Sequence, residues 1–189
     1  MFQLPEDDRK LLLGVARVAV RSHLWGMSLR LPEIDDGVLM ERHGVFVSIH
    51  QGRELRGCIG NVTPELPLYN ATAQCAVAAA SADPRFPPVT EEELPQISFE
   101  LSVLSIPEPV VDIDEIEIGR HGLIVSKGSA RGLLLPQVAT QYRWNCNQFL
   151  AETCIKAGLH PEAWREGATI HYFTADVFGE EHIHQPATL

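Results

Sequence analysis

Hydrophobic and polar positions alternate along Ile97-Ser98-Phe99-Glu100-Leu101-Ser102-Val103, the pattern of a strand with one buried and one polar face. Val45, Val47 and Ile49 alternate in the same way with Phe46, Ser48 and His50. After the loop Gln51-Gly52-Arg53-Glu54 a second short strand, Leu55 to Ile59, completes a predicted hairpin. Elsewhere the apolar spacing becomes helical. Leu11, Leu12, Val15, Val18, Ala19 and Ser22, behind acidic residues suited to a helix N-terminus, predict a helix from about Asp7 to Leu24 that stops at Gly26. Pro67 to Ala82 predicts an alanine-rich helix slim enough to pack closely on a sheet. Leu31 to Met40, with Pro32, Asp35, Asp36 and Gly37, reads as loop.

The second half repeats this order. Leu123 to Ser126 and Arg131 to Leu135 form a hairpin around Lys127-Gly128-Ser129-Ala130. Asn145 is placed as an N-cap with Gln148 at the third helical position, and that helix runs to Ala157 and stops at Gly158. A short helical turn follows from Pro161 to Arg165, then a last strand from Ile170 to Phe178. The repetition extends to the residues themselves. Arg42-His43-Gly44-Val45-Phe46-Val47-Ser48 returns as Arg120-His121-Gly122-Leu123-Ile124-Val125-Ser126, and each copy is followed by an Arg-Gly pair, Arg56-Gly57 or Arg131-Gly132. The order strand, strand, helix, strand thus occurs twice, as in a duplicated fold. We expect an α+β protein with a mainly antiparallel sheet flanked by helices. It should form a single domain of two lobes over residues 5–181, with repeat halves near 43–104 and 121–178 and a polar tail at 182–189. Function is expected where the copies differ, and the plainest difference is Cys58 against Leu133.

Composition narrows the class. The chain has 189 residues, enough for one sizeable core, and 25 acidic against 15 basic side chains, a net charge of −10. With no basic run to override that charge, nucleic acid and anionic membrane surfaces are not expected partners. The N-terminal residues lack a signal-peptide pattern, no apolar run approaches a membrane span, and a cytoplasmic location is expected. Cys58, Cys75, Cys146 and Cys154 form no CxxC pair, so reduced thiols are expected. There is no phosphate-cradling loop, dinucleotide fingerprint or zinc-type array, and no cofactor or metal is expected. His182 and His184, two residues apart on the tail beside Glu180 and Glu181, carry little weight as a metal set.

Six separated segments, in order, resemble the AMMECR family: Leu55-Arg56-Gly57-Cys58-Ile59-Gly60, Asp83-Pro84-Arg85-Phe86-Pro87-Pro88-Val89, Glu100-Leu101-Ser102-Val103-Leu104, Gly119-Arg120-His121-Gly122, Leu134-Leu135-Pro136-Gln137-Val138-Ala139, and Lys156-Ala157-Gly158-Leu159 with Trp164. The resemblance covers roughly Leu11 to Glu181. The chain looks like the bacterial form, which accompanies a Memo-like protein and a radical SAM protein, and the resemblance implies a compact α+β fold with a smaller second lobe. It supplies no reaction.

The chemistry is therefore read from residues. Strand alternation puts Arg56, Cys58 and Gly60 on one face, where a guanidinium beside a thiol favours thiolate; Gly57 and Gly60 leave room for a backbone or ligand. A free cysteine is equally at home as a small buried hydrophobe. Glu100 shares a polar strand face with Ser98 and Ser102, and either faces solvent or orients an imidazole, for which the family resemblance offers His121. His121 alone also reads as a turn histidine bonded to backbone. Arg85, held between prolines, could meet an anionic group or pair with Asp83. Gln137 follows Pro136 at a strand exit and could donate to a ligand or cap the next turn. Two readings follow. In one, Cys58, Glu100 and His121 form a catalytic site, with Arg56, Arg85 and Gln137 binding a small molecule in a cleft. In the other, the protein is a non-catalytic adaptor for its Memo-like and radical SAM partners.

Overall fold

The computed structural model describes residues 2–34, 37–63 and 65–180. The His182/His184 tail lies outside the described residues. The chain forms an α+β fold with two four-stranded sheets and divides into two compact units, Gln3–Val103 with the chain from Asp176, and Leu104–Ala175 with the N-terminal pair.

The first unit opens with helix α1 (Glu6–Leu24), whose acidic first turn Glu6-Asp7-Asp8 suits the positive end of the helix dipole. Strands β1 (Val45–Gln51) and β2 (Glu54–Asn61) follow as a hairpin. Its two-residue turn places Gly52 at φ 61°, a left-handed conformation that glycine adopts without a Cβ clash. Helix α2 (Leu68–Ser81) leads to β3 (Ile97–Leu104), which pairs antiparallel with β1. The sheet order is β2-β1-β3-β8, with β8 (Ala175–Gly179) supplied from far along the chain. Val45, Val47 and Ile49 are fully buried, as are Leu101 and Val103, while Ser48, His50 and Glu100 stay partly open. Alternation in β1 and β3 therefore separates a core face from a polar face as the sequence predicts. Helix α2 packs on β1 and β2, and α1 packs on α2.

The second unit carries β4 (Glu108–Pro109), β5 (Gly122–Lys127), β6 (Ala130–Leu134), α3 (Pro136–Gln141), α4 (Cys146–Lys156) and β7 (Thr169–Phe173), in sheet order β4-β7-β5-β6. Its core gathers Ile116, Leu123, Ala139, Phe149 and Leu150, with Trp144, Trp164 and Tyr172 packed around them. The Asn145 cap has the predicted form: its side chain accepts the Gln148 N–H, the Gln148 side chain reaches back, and Gly158 ends the helix at φ 74°. In each unit the first hairpin strand is the centre of the sheet, β2-β1-β3 in one and β6-β5-β7 in the other.

Three elements differ from the sequence reading. The predicted strand Ile170 to Phe178 is two strands in two sheets, broken at Thr174. Ser105 takes both backbone groups of Thr174 there, its N–H donating to the Thr174 carbonyl at 2.9 Å and its Oγ accepting the Thr174 N–H at 3.0 Å. Neither sheet ladder can continue through that residue. The loop Leu31 to Met40 contains a short 3-10 turn, Val38–Met40. The segment after β6, where Gln137 was read as a ligand donor or a cap of the next turn, winds into α3 because Pro136 at the first helical position fixes a helical φ and lacks the N–H that would go unbonded.

Candidate functional site

The shared Arg-Gly pairs serve packing. A Cβ on Gly57 would lie 2.2 Å from the Ala79 carbonyl oxygen of α2, and one on Gly132 would lie 2.4 Å from the Ala157 nitrogen at the end of α4. In each unit a helix backbone crosses directly over the second hairpin strand, and only glycine leaves the space. Gly60 is similarly closed, under the Phe46 ring. The room that glycine leaves beside Cys58 is thus already filled from within.

The β1–β2 register shifts between Ile49 and His50, where Ile49 faces Gly57 and His50 faces Leu55. Arg56 is the residue left without a partner at that shift, a β-bulge. Its guanidinium is committed to the loop after α2. Nε and Nη2 donate to the Glu93 carboxylate at 2.7 and 3.1 Å, and Nη1 and Nη2 to the Pro87 and Pro88 carbonyls. The Arg56 guanidinium in turn holds the Glu93 carboxyl below its ordinary range. Arg56 is a brace for that loop, which it holds against the edge of the sheet.

Past the bulge, β2 presents Cys58 directly opposite Ser48 of β1, and Ser48 is in turn opposite Glu100 of β3. Three polar side chains therefore form one row across three strands. The Ser48 hydroxyl donates to the Cys58 sulfur at 3.3 Å. His50, next along the same face of β1, places Nε2 4.0 Å from Glu100 Oε1. The imidazole beside Glu100 is that of His50, which the sequence reading passed over. Strand alternation, which turns Ser48 and His50 away from Val47 and Ile49, was the signal that could have found both.

Strand β2 is the edge of its sheet, and the outward backbone of Cys58 is met by side chains. Its N–H donates to Asp83 Oδ2 at 2.8 Å, and its carbonyl accepts from Arg85 Nη2 at 3.3 Å. Asp83 is 4% exposed and also accepts from Arg85 Nε and Nη2 at 3.0 and 2.7 Å. Arg85 chiefly, and the Cys58 N–H further, hold the Asp83 carboxyl well below the usual carboxylate range against the opposing effect of burial. Arg85 is itself raised, first by Asp83 and also by the nearby Cys58 thiol. Of the two sequence readings of Arg85, the pair with Asp83 is present, while its outer side remains open to solvent.

His121 and Gln137 belong to the second unit. Gln137 is exposed on the first turn of α3. His121 is buried, its Nδ1 accepts the Glu117 N–H at 3.1 Å, and its ring stacks on Tyr172 with centroids 4.5 Å apart. Burial lowers its pKa, with the Glu117 carboxylate acting in the opposite direction. It lines a pocket of about 460 Å³ with Glu108, Glu115, Glu117, Arg120 and Tyr172. The backbone-bonded turn histidine of the sequence reading is what its own unit displays. Among the described residues, no group of three or more His, Cys, Asp or Glu could hold a metal, and no helix is long and apolar enough to cross a membrane.

Comparison with known proteins agrees with the fold. The AMMECR1 family profile matches residues 13–178. A protein of Methanothermobacter thermautotrophicus is 44% identical over 187 residues, covering 94% of this chain and 97% of its own length. One from Methanosarcina barkeri is 46% identical over 189 residues, covering 94% and 93%. The crystal structure of uncharacterized protein PH0010 from Pyrococcus horikoshii aligns with a TM-score of 0.85 at 41% identity, covering 98% of this chain and 97% of that one.

Proposed function

The chain belongs to the AMMECR1 family, and on that premise we propose that it acts on a small substrate through the thiol of Cys58. Glu100 and His50 serve as the carboxylate and imidazole of the site, the role the sequence assigned to Glu100 and His121, and Arg85 meets an anionic group at its margin. In this reading the protein works in the reducing cytoplasm with the Memo-like and radical SAM partners of the bacterial form. The single observation that carries it is the row Cys58, Ser48, Glu100, in which a hydroxyl donates to the sulfur and a carboxylate with its own imidazole stands one strand beyond.

Thiol reactivity tests it. Burial raises the Cys146 and Cys154 thiols and pushes Cys75 up to about 11. With iodoacetamide at neutral pH, the half-buried Cys58 should therefore be alkylated much faster than the buried Cys75, as followed by peptide mass spectrometry. Equal rates would remove the thiol from the chemistry.

The adaptor reading would then stand in its place, and one observation favours it. The outer side of α2 borders an apolar groove of about 580 Å³ lined by Leu29, Leu31, Leu66 and Val77, with Leu29 and Leu66 exposed. Such a patch suits protein recognition.

A further inference from the structure

We propose that the pocket bounded by His50, Arg53, Ser98 and Glu100 takes a small zwitterion of the α-amino acid type, its carboxylate on the Arg53 guanidinium and its ammonium on Glu100. This deepens the proposed function by naming a substrate class, and it rests on that reading only in sharing Glu100 and His50 with it.

The pocket measures about 220 Å³ and is completed by Gly52, Phe99, Gly179 and Glu180. A water occupies roughly 30 Å³ of liquid, so the space suits a ligand of a few heavy atoms. Its polar groups are largely unspent. Arg53 sits on the hairpin turn and makes no hydrogen bond or ion pair among the described residues, and the same holds for the Ser98 hydroxyl. Among the described residues, Glu100 pairs only with His50, at 4.0 Å. Glu180 is the exception, since Arg17 holds its carboxylate through both oxygens at 2.7 and 2.6 Å. Two opposite charges thus line one small space without pairing with each other.

That arrangement selects by charge. A purely anionic ligand would meet Glu100, and a purely cationic one would meet Arg53, each a like-charge contact in a confined site. A neutral ligand would leave both charges unpaired. A molecule carrying ammonium and carboxylate a few bonds apart satisfies both at once. His50 adds a polar partner in the lining: its Nε2 is buried 4.0 Å from Glu100 Oε1 without a hydrogen bond among the described residues. A buried nitrogen in that condition is costly, and a shift of Glu100 on binding that closes the 4.0 Å gap would relieve it.

The test follows the His50 ring by 1H–13C NMR, assigned with His50→Gln, in the Cys58→Ser protein. Glycine and L-alanine are titrated against sodium acetate and methylammonium chloride at matched ionic strength. The amino acids should move the His50 signal saturably and the two half-ligands should not. Arg53→Gln and Glu100→Gln should each weaken binding by at least about tenfold. Absence of a saturable shift with either amino acid, acetate or methylammonium binding as tightly as glycine, or unchanged affinity in both variants would each overturn the proposal. Because the protein tested carries no Cys58 thiol, failure of the alkylation test leaves this result untouched, and the reverse also holds.

Discussion

Gly57→Ala should lose on the order of 3 kcal/mol or more of stability, although it adds a single methyl group. The added carbon would lie 2.2 Å from the Ala79 carbonyl oxygen, and the next atoms it meets, the Ala79 carbonyl carbon and Cα, are backbone too. No flexible side chain can swing aside. Relief requires lifting α2 from the hairpin, which opens the layer built on Val47, Ile49, Ala76 and Ala79, all nearly or fully buried. Gly14→Ala supplies the control, since nothing lies within 4 Å of its Cβ position in the middle of α1. That variant should gain roughly 0.5–1 kcal/mol from the better helix former. In urea unfolding the two midpoints should move in opposite directions, the Gly57→Ala midpoint downward by about 1 M or more. A wild-type midpoint for Gly57→Ala would mean that α2 does not cross β2 at this point.

Asp83→Ala should be nearly as damaging and should also change how stability depends on acidity. The substitution leaves the Cys58 N–H without its acceptor and the Arg85 guanidinium without its partner. Loss of a buried carboxylate that accepts several such bonds costs on the order of 2–4 kcal/mol. Asp83→Asn keeps an acceptor for the Cys58 N–H and should fall between. The sign of the pH effect follows from the direction of the shift. The folded-state pKa is depressed, so the contribution is complete above the unfolded value near 3.9 and is lost as pH falls toward the folded value. Below about pH 4, wild type should therefore lose up to about 1.4 kcal/mol per pH unit through this group, less whatever solvent screening removes at the half-exposed Arg85. Chemical denaturation at pH 7, 4 and 3 checks it: the gap between wild type and Asp83→Ala should narrow with acid. A constant gap would show that the carboxylate charge contributes nothing.

The parts of this fold governed by neighbouring residues were legible in the chain. Ile97 to Val103 alternates because one sheet face is core, and Asn145, Gln148 and Gly158 mark α4 because caps and stops act within a turn. Cys58 and Glu100 were legible as polar-face positions for the same reason. What escaped depended on partners distant in sequence or on one extra residue. The bulge at Arg56 breaks a period of two that a short strand cannot advertise, and the true partner of Arg56 is Glu93, a whole helix away. The break at Thr174 is set by Ser105, 69 residues earlier. His50 was overlooked because its meaning comes from Glu100 across the sheet, and the family resemblance drew attention to His121 instead.

The first unit draws its closing pieces from segments far apart in the sequence. Arg9 holds Asp176 across 167 positions, and Arg17 holds Glu180 across 163, while β8 joins β3 at the margin of the sheet. The second unit's strands and helices lie within the continuous run Leu104–Ala175. On the ribosome, where chains emerge N-terminus first, the later-made unit has all its strands and helices once Ala175 is out. The earlier-made one must wait with its β3 edge unpaired. The order of completion is the reverse of the order of synthesis. The Cys58 face therefore belongs to a sheet that is finished only after β8, through Gly179, has followed the whole second unit out.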